Sequence, residues 1–280
     1  MIAFSSNKSI LYCLIFNQIG ILCSRIWNLI CHRCRIRVVR LKSRYQKLLE
    51  FIPAEQLKKY FEVFGHFYSV DLKSGEKIDC RSVLEIVTKQ RKPSDIGLLL
   101  DNSPDAIFIM MNPGSSRPLV EVNNFISEDL INQLEVSLVP TKPDTTQYQV
   151  MRVMHYCGWH HVRVLNISDM RDSKSGSFVE RYSDIENRTG FSAHSLFADN
   201  RSVELRRKLN QKPEATIVCA WGVSSDLDPL IERCLSKVAG TLKLTGLMKP
   251  STENKYFHPL PTLQKDKEQW ITNLVTHISA

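Results

Sequence analysis

Ala106-Ile107-Phe108-Ile109-Met110-Met111-Asn112-Pro113-Gly114-Ser115-Ser116 is an apolar run that ends abruptly in turn residues. Such a run reads as a strand buried on both faces of a parallel sheet. Pro113 and Gly114 force a turn, which leaves Asn112 at the carboxyl end of the strand. Ligands of open α/β sheets bind outside the carboxyl ends of such strands. A polar side chain therefore stands where chemistry is expected.

The same pattern recurs downstream. His161-Val162-Arg163-Val164-Leu165-Asn166-Ile167-Ser168 is a second strand with Asn166 near its exit, and Ala215-Thr216-Ile217-Val218-Cys219-Ala220-Trp221-Gly222 is a third. Residues 242–247 read as a fourth. Helical patterns fall between and after them: 146–157, opened by Asp144 and closed by Gly158; 192–210, with Leu196, Phe197, Val203, Leu205 and Leu209 inward; 228–240; and 264–279. Residues 171–190 are polar and carry Gly and Ser, which predicts a long loop after the Asn166 strand. Alternating strands and helices predict a three-layer α/β/α domain over residues 101–280 with a short, mainly parallel sheet. The chain has no G-x-G-x-x-G, Walker A, H-E-x-x-H or nucleophile-elbow motif.

Residues 46–100 read as a helical appendage. Leu57, Tyr60, Phe61, Val63 and Phe64 follow a helical spacing after the break at Pro53, residues 73–76 form a turn, and Asp79 is placed to cap a helix over 81–89. Residues 1–45 form a basic, partly apolar arm. The stretch 9–23 is apolar but shorter than the roughly 20 residues that span a bilayer. It leaves three readings: a membrane-surface anchor, a docked helix, or an over-extended start.

The formal charge of +8 is uneven. Nine basic residues and one acid lie within residues 1–50, so that segment carries the whole excess and the remainder is neutral. A basic arm suits an anionic partner, either nucleic acid or an acidic membrane surface. The eight cysteines are scattered, without the spacing of a disulfide framework, which fits a reducing cytoplasm. The Cys31-His32-Arg33-Cys34 pair lacks the second pair of a zinc site. No metal or cofactor is expected, and no obligate protein partner.

Residues 103–263 resemble a family described only as domain of unknown function 1643. The resemblance rests on Phe108-Ile109-Met110-Met111-Asn112-Pro113, Asp144-Thr145-Thr146, Val164-Leu165-Asn166, Ala220-Trp221-Gly222 and His258-Pro259-Leu260. More distantly, the order of these segments is similar to the uracil-DNA glycosylase superfamily. Met110-Met111-Asn112-Pro113-Gly114 stands where the mismatch-specific branch has Gly-Ile-Asn-Pro-Gly. The chain departs from that superfamily in having Met111 where a Gln precedes the acid or amide, and Leu260-Pro261 in place of Ser-Pro.

This resemblance implies a DNA glycosylase-like enzyme that flips out a modified or mismatched base and hydrolyses its N-glycosidic bond, in DNA repair or in defence against foreign DNA. Asn112 would orient the attacking water, and His258 would donate to the base as negative charge develops. Asn166 would read the base edge, with Met111 and Trp221 lining the base pocket. Leu260, between two prolines, would fill the vacated stack. Tyr148, Phe178 and Phe191 are three candidates for stacking on the base. Two other classes fit the same residues: a nucleoside or nucleotide hydrolase or transferase, and a non-catalytic nucleic-acid-binding module.

Overall fold

The computed structural model describes residues 48–213, 215–238 and 244–279. The arm of residues 1–45, with its basic cluster, apolar stretch and Cys31/Cys34 pair, lies outside the described residues. In chain order the elements are α1 (Ala54–Tyr60), β1 (Phe61–Asp71), β2 (Lys77–Thr88), β3 (Ala106–Met110), β4 (Arg117–Pro118), β5 (Phe125–Ser127), β6 (Val139–Lys142), α2 (Thr145–Cys157), β7 (His161–Asn166), α3 (Ser175–Thr189), α4 (Ser202–Lys208), β8 (Thr216–Ala220), α5 (Asp228–Val238), β9 (Leu244–Thr245) and α6 (Gln264–Ile278). The strands form one mixed sheet in the order β4-β6-β1-β2-β7-β3-β8-β9, with β5 beside β1.

The opening apolar run forms β3, and all its residues are buried. β3 pairs in parallel with β7 on one side and β8 on the other, and β8 pairs in parallel with β9. Among these parallel strands, β3 is followed in the chain by β7 on one side, after β4, β5 and β6 have joined the far part of the sheet, whereas β8 is followed by β9 on the opposite side. The carboxyl ends of β3 and β8 thus flank a topological switch point, where an open sheet leaves a crevice.

The sheet is mixed rather than mainly parallel, and residues 46–100 are not a helical appendage. Among the described residues of that segment α1 is the one α-helix, with short 3-10 turns at Lys89–Arg91 and Ile96–Leu100. β1 and β2 form a long antiparallel hairpin, and β2 joins the parallel strands by antiparallel pairing with β7. The apolar spacing around Phe61, Val63 and Phe64 matches a helical period, but β1 is buried over almost its whole length. A strand covered on both faces shows no polar alternation, so the strand was hidden. Asp79 caps no helix: Arg81, Ser82 and Glu85 are buried polar residues of β2.

Two apolar cores take alternate residues of the central strands. Ile107, Ile109 and Leu165 join Phe178 and Ile185 of α3 and Leu230 of α5. Phe108, Met110 and Val164 join Val150 and Met154 of α2 and Ile271 of α6. The expected long loop over 171–190 is therefore largely α3: Phe178, Tyr182 and Ile185 fall on one helical face and are buried with Val179 beside them, while most of the segment is polar. Conversely, the expected helix over 192–210 is α-helical only over α4, and Val203 is 77% exposed instead of inward.

Candidate active site

The carboxyl ends of β3 and β8 open into a cleft of about 460 Å³, within the size range of small-ligand sites. Met111, Asn112, Trp221, His258 and Leu260 all line it. Segments far apart in sequence thus meet at the crevice that the strand order creates. Asn166 is not on the cleft wall. It is 2% exposed, and its Oδ1 accepts a hydrogen bond from Arg81 Nη2 at 3.0 Å. A side chain so held touches a ligand only through Arg81, so a direct role in reading a base edge does not fit its position.

Asn112 is half-buried, and its Nδ2 donates to the backbone carbonyls of Asp172 at 2.7 Å and Met170 at 3.4 Å. These bonds fix the amide so that Oδ1 remains to accept from a water or ligand. The turn that presents it is tight. Gly114 has φ of +65°, and a Cβ there would stand 2.9 Å from Asp144 Oδ2.

His258 reaches the cleft because its loop is pinned by its own carbonyls. Trp221 Nε1 donates to Asn254 O at 2.8 Å, Gly222 N to Tyr256 O at 2.9 Å, Trp270 Nε1 to Phe257 O at 3.1 Å and Gln149 Nε2 to Pro259 O at 2.9 Å. Trp221 is completely buried and stands edge-on to Tyr256. Its indole N–H serves the loop, so it forms a wall of the cleft and spends its polar atom on positioning. Burial pushes the His258 pKa down to about 4, so the ring is neutral near pH 7.

Two cleft residues escaped the sequence reading as functional groups. Asp144 was legible as a cap. Its Oδ1 accepts from the Thr146 and Gln147 backbone N–H groups at the start of α2, and Gln147 returns the bond to the Asp144 N–H. The Gly114 turn brings that same carboxylate against the Asn112 loop. Burial raises its pKa, opposed by the charge of Arg81 and the backbone N–H groups of Gln147, Thr146 and Ser115. Arg81 carried no legible signal, because it reads as one more polar residue in a segment of helical appearance.

None of the three aromatic stacking candidates lines the cleft. Phe178 and Phe191 are buried in the α3-side core, and Tyr148 packs against the α2-side core. Among the described residues there is no cluster of three or more side chains suited to a metal ion. No described helix is long and apolar enough to cross a membrane. Compared with protein-family models, curated proteins and solved structures, the chain matches none.

Proposed function

We propose that this chain is a DNA glycosylase-like hydrolase with a three-layer α/β/α core, which extrudes a modified or mismatched base into the cleft and breaks its N-glycosidic bond. The observation that carries the proposal is the convergence of Asn112, His258 and Leu260, from a strand exit and a distant loop, on one cleft at the switch point of the parallel strands. The two helix-bearing cores support the layered reading.

Asn112 Oδ1 orients a water for attack on the sugar carbon. Being an amide it is a weak base, so its contribution is mainly position. His258, neutral, donates to an oxygen of the departing base as negative charge grows there. One such donor is worth about 3 kcal/mol at the transition state. Asp144, on the same wall, accepts the proton that the water loses. Leu260, which lines the cleft, occupies the stack that the base leaves. The basic arm supplies phosphate contacts that the neutral remainder lacks.

The test is incubation of the full chain with duplex and single-stranded DNA carrying defined base modifications, and with base-modified phage genomes, scoring alkali-labile sites. Such sites with the wild type, lost in Asn112→Ala and His258→Ala, are the expected result. Absence of abasic sites on every substrate, with release of base from free nucleosides instead, would replace the DNA reading with the small-molecule one. A salt-dependent gel shift with and without residues 1–45 separates DNA binding by the arm from binding by the remainder.

A further inference from the structure

Three arginines of the described chain are at most 1% exposed: Arg81, Arg163 and Arg201. Arg163 is paired with Glu85 at 2.6 Å and also donates to the carbonyls of Leu99 and Lys208. Arg201 is paired with Asp169 at 2.6 Å and Glu204 at 2.8 Å. Arg81 forms no ion pair with any described carboxylate. Its bonds go to Asn166 Oδ1 at 3.0 Å and to Pro113 O at 3.4 Å, and its Nε makes none. Arg152, 5% exposed, also lacks a carboxylate, but it lies over the Phe51 ring and has no orphan nitrogen.

A buried guanidinium without a counter-charge is costly to the fold. Arg81 differs from the other two in one further respect: it lines the cleft. Beside it, Asn166 leaves Nδ2 without a partner at 2% exposure. The wall therefore holds a positive charge with an unused N–H at Arg81 Nε, and behind it the buried Nδ2 of Asn166 is a second unused donor. Asp144 lines the same cleft, and its charge acts on Arg81 without an ion pair between them.

We infer that Arg81, braced by Asn166, is an oxyanion receptor in the cleft, and that the substrate presents to it a phosphate or a carboxylate. The planar fork of a guanidinium matches two oxygens of either group. Binding supplies the counter-charge that the fold withholds. As a statement of substrate class this rests on the glycosidic-bond reading of the cleft; as a statement of an anion site it is tested without measuring base release, so the two fail separately.

The experiment is calorimetric titration of the full chain with inorganic phosphate, with benzoate as a planar carboxylate, and with uracil as a neutral ring, at matched ionic strength, together with thermal melts. Phosphate or benzoate is expected to bind and raise the Tm. Stronger phosphate binding assigns the anion to a nucleotide or nucleic-acid phosphate, and stronger benzoate binding to a carboxylate borne on the base. Arg81→Gln is expected to lose at least tenfold in affinity while melting no lower than the wild type. Arg81→Lys is expected to recover little, because an ammonium lacks the fork. Asn166→Asp is the sharper variant, since it keeps the arginine and gives it an internal carboxylate. It is expected to melt higher and to lose anion binding. The inference is overturned if neither anion binds, if binding survives in Arg81→Gln and Asn166→Asp, or if Arg81→Gln melts markedly lower and the wild type gains no protection from either anion.

Discussion

The backbone N–H of Leu260 donates to His258 Nδ1 at 3.2 Å. A neutral imidazole that accepts at Nδ1 carries its proton on Nε2. The loop therefore fixes the tautomer: Nε2–H is the donor, and it belongs to a ring lining the cleft. His258→Ala should lower base release by about a hundred-fold or more, the usual loss for one transition-state donor. His258→Gln should recover part of it, since its amide restores an N–H. Single-turnover rates on a proven substrate decide this, and an unchanged rate in both variants removes His258 from the chemistry.

The same histidine sets a pH dependence. Its pKa is depressed from 6.5 to about 4 by burial, so below pH 6.5 the unfolded chain binds a proton that the folded chain refuses. Its contribution to stability is complete above about pH 6.5 and is lost as the pH falls toward 4. His66, depressed to about 3 chiefly by burial, adds to the same loss and extends it lower. The Tm should fall through this window, and the fall should be shallower in His258→Gln. The donor form persists throughout, so a catalytic limb near pH 6.5 would have to come from another group.

Strands β3, β7 and β8 were legible because each is a short, mostly apolar run with a marked end: Asn112-Pro113 after β3, Asn166 at the end of β7 and Trp221-Gly222 after β8. The β1–β2 hairpin was not, because burial on both faces removes alternation, and its polar residues are satisfied inside the protein. Glu85 pairs with Arg163 across the β2–β7 register, and His66 bonds Ser82 at 2.6 Å across β1 and β2. These pairings depend on which strands meet, which is a tertiary fact. The site shows the same division. Asn112 and His258 stand out as polar residues at turn-bounded positions. Asn166 has the same local signature but points to Arg81, and nothing local separates the two cases.

Asn112 links the strand exit to the next loop. Asn112→Ala removes the donor for Asp172 O and Met170 O, a loss of about 1–3 kcal/mol when acceptors are left unsatisfied. A drop in Tm of a few degrees should accompany abolished base release, with DNA affinity nearly unchanged. Asn112→Asp supplies a stronger base but turns a carboxylate oxygen toward two carbonyls, so it should destabilise more than Ala. A melt in which Asp equals wild type would show that the amide nitrogen does not hold the loop.

Gly114 lets the Asn112 turn approach Asp144. Gly114→Ala places a Cβ 2.9 Å from Asp144 Oδ2 in a backbone conformation of φ +65°. The left-handed conformation alone costs about 1 kcal/mol. The clash is relieved by moving either the turn or the carboxylate, and either shift disturbs the cap of α2. The variant should lose both stability and activity, whereas Gly176→Ala, where a Cβ meets nothing within 4 Å, should lose neither. Equal behaviour of the two variants would mean that the approach of turn and cap has no consequence.

Trp221 tests whether positioning of the His258 loop matters apart from the shape of the cleft. Its indole N–H holds Asn254 O while its ring packs edge-on against Tyr256, the residue whose carbonyl receives Gly222 N–H. Trp221→Phe keeps an aromatic ring but deletes the N–H, leaving the Asn254 carbonyl without its protein donor. Loss of such a partly buried bond costs about 1 kcal/mol locally. The loop is held at three further carbonyls, so the fold should survive and the cost should fall on the placement of His258. The expected signature is a lower rate of the chemical step with little change in substrate affinity. It should also be non-additive with His258→Ala: once the donor is gone, misplacing its loop should cost little more. Additive losses in the double variant would instead assign Trp221 a contact of its own with the substrate.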